Sequence, residues 1–300
     1  MEHLRGSSVL VTGGSGFIGS CLTARLVAEG ADVHVVARTA ASACPSRLAG
    51  LRDQISLHQA DVTDGEDLAA IVARVRPAQV LHLAARAHVG TSWTQVDEHV
   101  QTNVQGTVTL LRALAGQGFE RFVHVSTSDV YGPILAPFRE DAPVNPMSPY
   151  AVSKYAAECY CRMFHQSEGW PIVVVRPFPT YGPAQSPDRV IPELIVRALR
   201  SEDIALTLGL QIREFNHVDD VVDGIIRAAT TAGIEGEVLN LGCGEEVSIR
   251  AVVAMVLELT GSTIQTRFGA LPERPGELPG SSPTAPGPRT ARVVAAGVAS

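Results

Sequence analysis

In Tyr150-Ala-Val-Ser-Lys154 a phenol and an ammonium stand four residues apart. On a helix, positions i and i+4 share one face, so the cation is expected to favour phenolate and lower the tyrosine pKa. A tyrosine tuned in this way can give or take a proton at a carbonyl oxygen while hydride moves. Thr127, which follows the apolar run Arg121–Ser126, supplies a hydroxyl that could hold the substrate oxygen. The same residue also reads as an ordinary strand-end turn. Tyrosine and lysine are common on helices, so the pair gains meaning only from its surroundings.

The first of those surroundings is Gly13-Gly14-Ser15-Gly16-Phe17-Ile18-Gly19, directly after the apolar run Ser8-Val-Leu-Val-Thr12. Glycine permits tight-turn torsions and lets a backbone come close to a diphosphate. The N-terminus of the following helix offers unpaired N–H groups to the anion. A strand before the loop and a helix after it are the context that a dinucleotide-binding fingerprint requires. At the end of the second strand an acid would bond a ribose 2′-hydroxyl, whereas an arginine accommodates a 2′-phosphate. Here the run is Ala37-Arg38-Thr39, which favours NADP over NAD, although Arg38 also reads as a solvated surface residue. Asp61-Val62, after the third strand, suits an acid accepting from an adenine amino group, or a plain turn aspartate.

These groups need elements to carry them. Strands are expected at Ser8–Thr12, Val33–Ala37, Ile55–Gln59, Gln79–Leu83, Arg121–Ser126 and Pro171–Val175. Helices are expected at Phe17–Glu29, Glu66–Val75, Gln95–Ala115 and Ser148–Gln166. Such alternation implies right-handed crossovers and an α/β fold with a doubly wound parallel sheet. A dinucleotide-binding domain is expected over 1–176. After Arg176 prolines punctuate the chain, and a smaller substrate-binding region is expected over 177–270, partly returning to the first domain. Its helices lie near Ile191–Arg200, Asp219–Thr230 and Ser248–Thr260, with short strands near Val238–Leu241 and Thr263–Arg267. Residues 271–300, rich in Pro, Gly, Ala and Ser, read as an irregular tail.

Composition narrows the class. Of 300 residues, 45% are hydrophobic and 18% charged, enough for a core and against wholesale disorder. A net charge of −7 argues against nucleic-acid or anionic-membrane partners. No apolar run approaches the roughly 20 residues of a membrane span, and no signal-peptide pattern opens the chain. The cysteines (Cys21, Cys44, Cys159, Cys161 and Cys243) match no zinc spacing and read as reduced cytoplasmic thiols.

The ordered set of the glycine loop, Leu83-Ala84-Ala85, Asn103-Val-Gln-Gly106-Thr107, Ser126-Thr-Ser-Asp-Val-Tyr-Gly132, Tyr150-xxx-Lys154 and Arg176-Pro-Phe-x-Thr-Tyr-Gly-Pro183 resembles the extended short-chain dehydrogenase/reductase superfamily, in its nucleotide-sugar epimerase, dehydratase and ketoreductase group. The resemblance covers roughly residues 7–277. It implies a Rossmann-like fold, an NAD(P) cofactor and a nucleotide-sugar substrate. By the same resemblance Thr127, Tyr150 and Lys154 are the catalytic triad. Gly13, Gly16, Phe17, Ile18 and Gly19 form the diphosphate loop, and Leu83, Ala84 and Ala85 run along the cofactor ribose. His88, Thr127 and Asp129 fall on the substrate side. Arg213 matches an arginine that grips the sugar-nucleotide diphosphate, and Arg274 resembles a second. A homodimer is implied by analogy, with the helices near Gln95–Ala115 and Ser148–Gln166 as the contact.

The sequence also departs from that pattern. Pro179 stands where the family often has a phosphate-facing Asn, and it carries no donor. One dehydratase type resembles Thr-Asp-Glu at the triad hydroxyl, where this chain has Thr127-Ser128-Asp129. Ser128 cannot serve as the acid, and Asp129 is a methylene shorter than Glu. Another dehydratase type resembles Thr-Ser-Glu, so Ser128 alone does not decide. The helix that normally closes the family fold is missing from the tail. These features rank reduction of the C4 keto group of a nucleotide-linked 4-keto-6-deoxyhexose first. A 4-epimerase with tightly bound NAD comes next, then a dehydratase or decarboxylase. A non-catalytic cofactor sensor is the reading from another class.

Overall fold

The computed structural model describes residues 4–38, 47–134 and 137–272. The expectations for the tail, for Cys44 and for Arg274 lie outside these residues.

Seven parallel strands form the main sheet: β1 (Ser8–Thr12), β2 (Asp32–Ala37), β3 (Ile55–Gln59), β4 (Gln79–His82), β5 (Arg121–Val125), β6 (Ile172–Pro177) and β7 (Val238–Leu241). Their spatial order is β7-β6-β5-β4-β1-β2-β3. The order reverses between β1 and β4, and ligand crevices of open α/β sheets form outside the strand carboxyl ends at such a switch point. Thr12 and His82 are register partners there, and His82 is in turn level with His124 of β5.

The strands are short runs of β-branched and aliphatic residues because both faces are covered. On one face Val9, Val11, Val35, Leu81, Val123 and Val173 pack with α1 (Phe17–Ala28) and a later helix, Val218–Thr230. On the other, Leu10, Val80, Phe122 and Val174 meet α2 (Gly65–Val75), α3 (Gly106–Leu114) and α4 (Pro149–Glu168). Residues 218–241 therefore belong to the main sheet and its core. A third apolar cluster, built from Leu194, Ala198, Ile204, Leu206, Val252, Val253 and Val256, joins the helices Val190–Arg200 and Ile249–Thr260.

Local signals set the helix starts. Asp64 caps α2 by accepting from the Glu66 and Asp67 N–H groups, both at 3.0 Å. Ser148 caps α4 through the Ala151 N–H at 3.1 Å, and Pro149 occupies the first turn, where its missing N–H costs nothing. This start puts Tyr150 and Lys154 at the crevice end of α4. The helix expected over Gln95–Ala115 is not uniform. Residues Val100–Gln105 form a π-helical stretch before α3, a wider turn that re-aims the side chains it carries.

Candidate active site

The glycine loop is shaped for an anion. Gly13 has φ +71°, and a Cβ there would stand 2.6 Å from the Ala84 N and 2.7 Å from the Leu83 carbonyl carbon. A Cβ on Gly19 would run into the Gly13 carbonyl oxygen. Both positions therefore demand glycine for close packing of loop, helix and the β4 turn. Gly16 begins α1 with no side-chain cap, and the first turn holds no acid. The helix N-terminus is left to a bound anion, which fits the diphosphate of a dinucleotide. Phe17 and Ile18 pack half-buried against the core under this turn.

Arg38 is exposed just past β2. Asp61 is half-buried, and one of its oxygens accepts from the Thr63 N–H at 2.9 Å and hydroxyl at 2.7 Å, so it does form the turn that was its plainer reading. Val62 is buried and presses on Gly106, where a Cβ would come within 2.7 Å of the valine methyl. The Leu83–Ala85 stretch is half-buried beside the glycine loop. Asn103, from the π-helical stretch, accepts from the Arg86 N–H at 2.8 Å and donates to the Arg86 carbonyl at 3.1 Å and to Ser153 Oγ at 2.8 Å. Ser153 donates to the Tyr150 carbonyl at 2.7 Å, which ties the ribose-side loop to α4.

Thr127 and Tyr150 come together, and Lys154 lies one turn further along the same helix. Tyr150 and Lys154 are buried on one face of α4, and Tyr150 is hydrogen-bonded to Thr127. The electrostatics differ from the sequence expectation. Burial drives the Tyr150 phenol well above its ordinary pKa, and the Asp129 carboxylate pushes the same way. Thr127 and Arg189 oppose them but do not win. Burial also pulls Lys154 down to about 8, despite nearby Cys161 and Glu158. The correction has a plain cause: in a dry setting each charged form loses hydration, and Lys154 is not among the groups that offset this loss at the phenol.

Asp129 is exposed to solvent at the crevice but closely ringed by protein. Desolvation raises its pKa, against the attraction of Arg213 and Arg189. Arg213, on the short strand Ile212–Glu214, is half-buried and donates to the Ile212 carbonyl at 2.8 Å. Its charge is thus felt on the same side of the crevice as Asp129. His88 caps the short turn Val89–Ser92 through the Thr91 N–H at 3.1 Å and faces Asp188 at 3.5 Å. Pro179, in the place of a phosphate-facing Asn, uses its carbonyl to accept from the Asn216 N–H at 2.8 Å.

Beneath the triad lies a buried ion pair. Arg176 bonds Glu158 at 2.6 and 3.1 Å, and Ser126 also donates to Glu158. The Arg176 guanidinium lies 4.7 Å from the Tyr131 ring centre, and Tyr131 donates to Asn240 at 2.8 Å. Ser126 precedes Thr127 and Glu158 follows Lys154 by one turn, so this cluster locks β5 to α4. The sequence reading missed three of these residues. Asn103 was in a quoted motif without a role, and Glu158 shares the Lys154 face by its i+4 spacing. Arg189, which reaches the Ala87 carbonyl at 3.2 Å, carried no sequence signal.

The sequence pattern of the NAD dependent epimerase/dehydratase family matches residues 9–242. The chain belongs to that family. Among its relatives, the dTDP-glucose 4,6-dehydratase of Streptomyces griseus is 37% identical over 262 residues, spanning 85% of this chain and 79% of that protein. The UDP-glucose 4-epimerase of Mycolicibacterium smegmatis is 35% identical over 279 residues, spanning 90% and 87%. Among solved structures, the UDP-glucose 4-epimerase of Thermotoga maritima with UDP-glucose superposes with TM-score 0.83 at 30% identity, covering 90% of this chain and 87% of that one. The family places the protein among enzymes of nucleotide-sugar chemistry. Among the described residues no helix is long and apolar enough to cross a membrane, and no group of three or more His, Cys, Asp or Glu side chains is arranged to hold a metal ion.

Proposed function

We propose that this protein acts as a nucleotide-hexose 4-epimerase, oxidising the sugar at C4 and reducing it again with a retained dinucleotide. The observation that carries this reading is the buried Thr127–Tyr150 pair with Lys154 on the same helix face, which needs no further acid or base to oxidise and re-reduce C4, and the likeness to UDP-glucose 4-epimerases supports it. A dinucleotide bound along Gly13, Gly16, Gly19 and Leu83–Ala85 supplies the hydride acceptor and donor. Thr127 holds the C4 oxygen, and Tyr150 Oη, as the phenolate that the positive charge of a bound oxidised nicotinamide would favour, takes its proton and later returns it. Lys154, when charged, stabilises the phenolate. Arg213 holds the substrate diphosphate, and Arg274, outside the described residues, is assigned the second such contact by resemblance alone. Asp61 and Val62 line the adenine, while His88 and Asp129 face the sugar.

Arg38 supports a second reading. An exposed arginine after β2 suits a 2′-phosphate, and the protonated Tyr150 suits delivery of a proton to a ketone. Both favour a C4 ketoreductase that consumes NADPH. Two copies would pair through α4 and the segment before α3, where Val96, Val100, Val152, Tyr160 and Met163 are exposed. Such an enzyme works in the cytoplasm, where nucleotide sugars are made.

The deciding experiment incubates the purified protein with UDP-glucose and dTDP-glucose and identifies products by NMR. The expected result is a C4 epimer with no net change in NAD(P)H. Stoichiometric oxidation of NADPH by a 4-keto-6-deoxyhexose nucleotide would instead establish the reductase. A 4-keto-6-deoxy product from the parent sugar would overturn both.

A further inference from the structure

At the switch point of the sheet a buried side chain joins every part of the dinucleotide wall. His82, the last residue of β4, is wholly buried between Thr12 and Thr107. Its Nδ1 lies 2.7 Å from Thr12 Oγ1, and its Nε2 lies 2.9 Å from Thr107 Oγ1. The protons can be assigned from the neighbours. The Thr107 hydroxyl spends its single hydrogen on the Asn103 carbonyl at 2.7 Å, so toward His82 it can only accept. His82 therefore carries its proton on Nε2 and presents a lone pair at Nδ1. Thr12 donates to that lone pair, which leaves the Thr12 oxygen free to accept from the Ala84 N–H at 3.2 Å. The chain runs in one direction, from Ala84 through Thr12, His82 and Thr107 to Asn103.

Both ends of this chain grip the same loop. Ala84 is held from the Thr12 side, while Asn103 holds both polar backbone groups of Arg86 and reaches Ser153 on α4. Ala85 is bracketed between them. The loop leans on Gly13 so closely that a Cβ there would meet the Ala84 N at 2.6 Å. The chain runs this way only with neutral imidazole, since a second ring proton on Nδ1 would take the Thr12 oxygen as its acceptor and displace the Thr12 hydrogen from its partner. Burial, reinforced by the Lys154 charge, keeps His82 neutral down to about 3.

We propose that His82 is a positioning residue which, through its Nδ1 acceptor, fixes the Leu83–Ala85 wall against the glycine loop and thereby sets affinity for the nicotinamide half of the dinucleotide. The inference rests on the dinucleotide reading above. It assigns to His82 a role separable from holding the fold.

The test is fluorescence titration with NADH, and ADP in parallel, on protein freed of co-purified nucleotide. His82→Leu removes both hydrogen bonds and Thr12→Val removes the link to Ala84 with little change of shape. His82→Asn places an amide oxygen near the Nδ1 position and restores the acceptor. The Leu and Val variants should bind NADH at least about tenfold more weakly, as expected for a lost buried hydrogen bond. The Asn variant should stay within about threefold of the wild type, and ADP within about threefold for all. Should His82→Leu not fold, Thr12→Val carries the comparison. Unchanged NADH affinity in Thr12→Val would overturn the proposal. So would a loss of ADP binding equal to that of NADH, which marks general damage, or an Asn variant as weak as Leu. A wild-type protein that binds neither ligand would instead overturn the dinucleotide reading itself.

Discussion

On the proposed dinucleotide side of the crevice Thr12, His82, Thr107 and Asn103 are all buried, and each makes a directed hydrogen bond to the next. On the proposed sugar side His88, Asp129, Arg189 and Arg213 stay exposed or half-exposed, and Arg189 and Arg213 act on Asp129 through charge. The first region lies under the sheet's carboxyl edge, where an unpaired polar group costs about 1–3 kcal/mol, and the polar side-chain atoms of these four residues are answered. The second opens to water, although desolvation still raises the Asp129 pKa. The difference teaches where the family can vary. A cofactor common to many reactions needs one fixed wall, whereas the sugar can be changed by charges that the fold does not depend on.

The largest expected effect breaks the chemistry that sits between the two regions. Tyr150→Phe keeps the buried ring but removes the proton carrier, and turnover should fall by roughly 100- to 10,000-fold. NADH affinity by fluorescence should stay within about threefold. A variant with near-normal kcat would remove Tyr150 from the catalytic role.

Next comes the buried pair under the triad. Glu158→Ala leaves Arg176 charged and enclosed, and should cost about 3–5 kcal/mol in urea denaturation. On the sugar side Arg213→Ala should change stability by no more than about 0.5 kcal/mol, while raising KM about tenfold with a smaller change in kcat. Equal destabilisation by the two substitutions would dissolve the contrast between the regions.

Lys154 adds a pH signature. Its folded pKa of about 8 lies below the ordinary 10.5. Between those values the unfolded chain holds a proton that the folded one has released, so this group makes stability rise with pH across that window. Relative to Lys154→Met, the wild type should gain about 2 kcal/mol between about pH 7.5 and about pH 9.5. Denaturation curves of both proteins at the two pH values give the difference directly, and a constant gap would mean that Lys154 is hydrated.

The smallest effect sharpens the cofactor choice. Arg38→Ala should weaken NADPH about tenfold more than NADH, the value of charge-assisted bonds to a 2′-phosphate. Equal losses would assign Arg38 to solvent.

Much of this was legible in the chain itself. The strand–glycine–helix order, the Tyr150/Lys154 spacing and the run of alternating elements are local patterns, fixed by backbone torsions and by 3.6- and 2-residue periods. They were enough for the fold class, the main sheet and the triad. The π-helical turn at Val100–Gln105 was not legible, because its extra residue per turn leaves no mark in hydrophobic periodicity. Nor was Arg189, whose neighbours Tyr150 and Asp129 lie far away in the chain.

The sequence by itself determined which groups are present and which elements carry them, since torsional preference and burial pattern act over a few residues. Only the tertiary structure decided how those groups are charged and directed. Tyr150 stays protonated, although a lysine four residues away suggested otherwise, because desolvation depends on everything packed around the phenol. His82 shows the same in its tautomer. Its proton sits on Nε2 because Thr107 gives its one hydrogen to the Asn103 carbonyl and can only accept from the ring, while Thr12, from another element, donates to Nδ1.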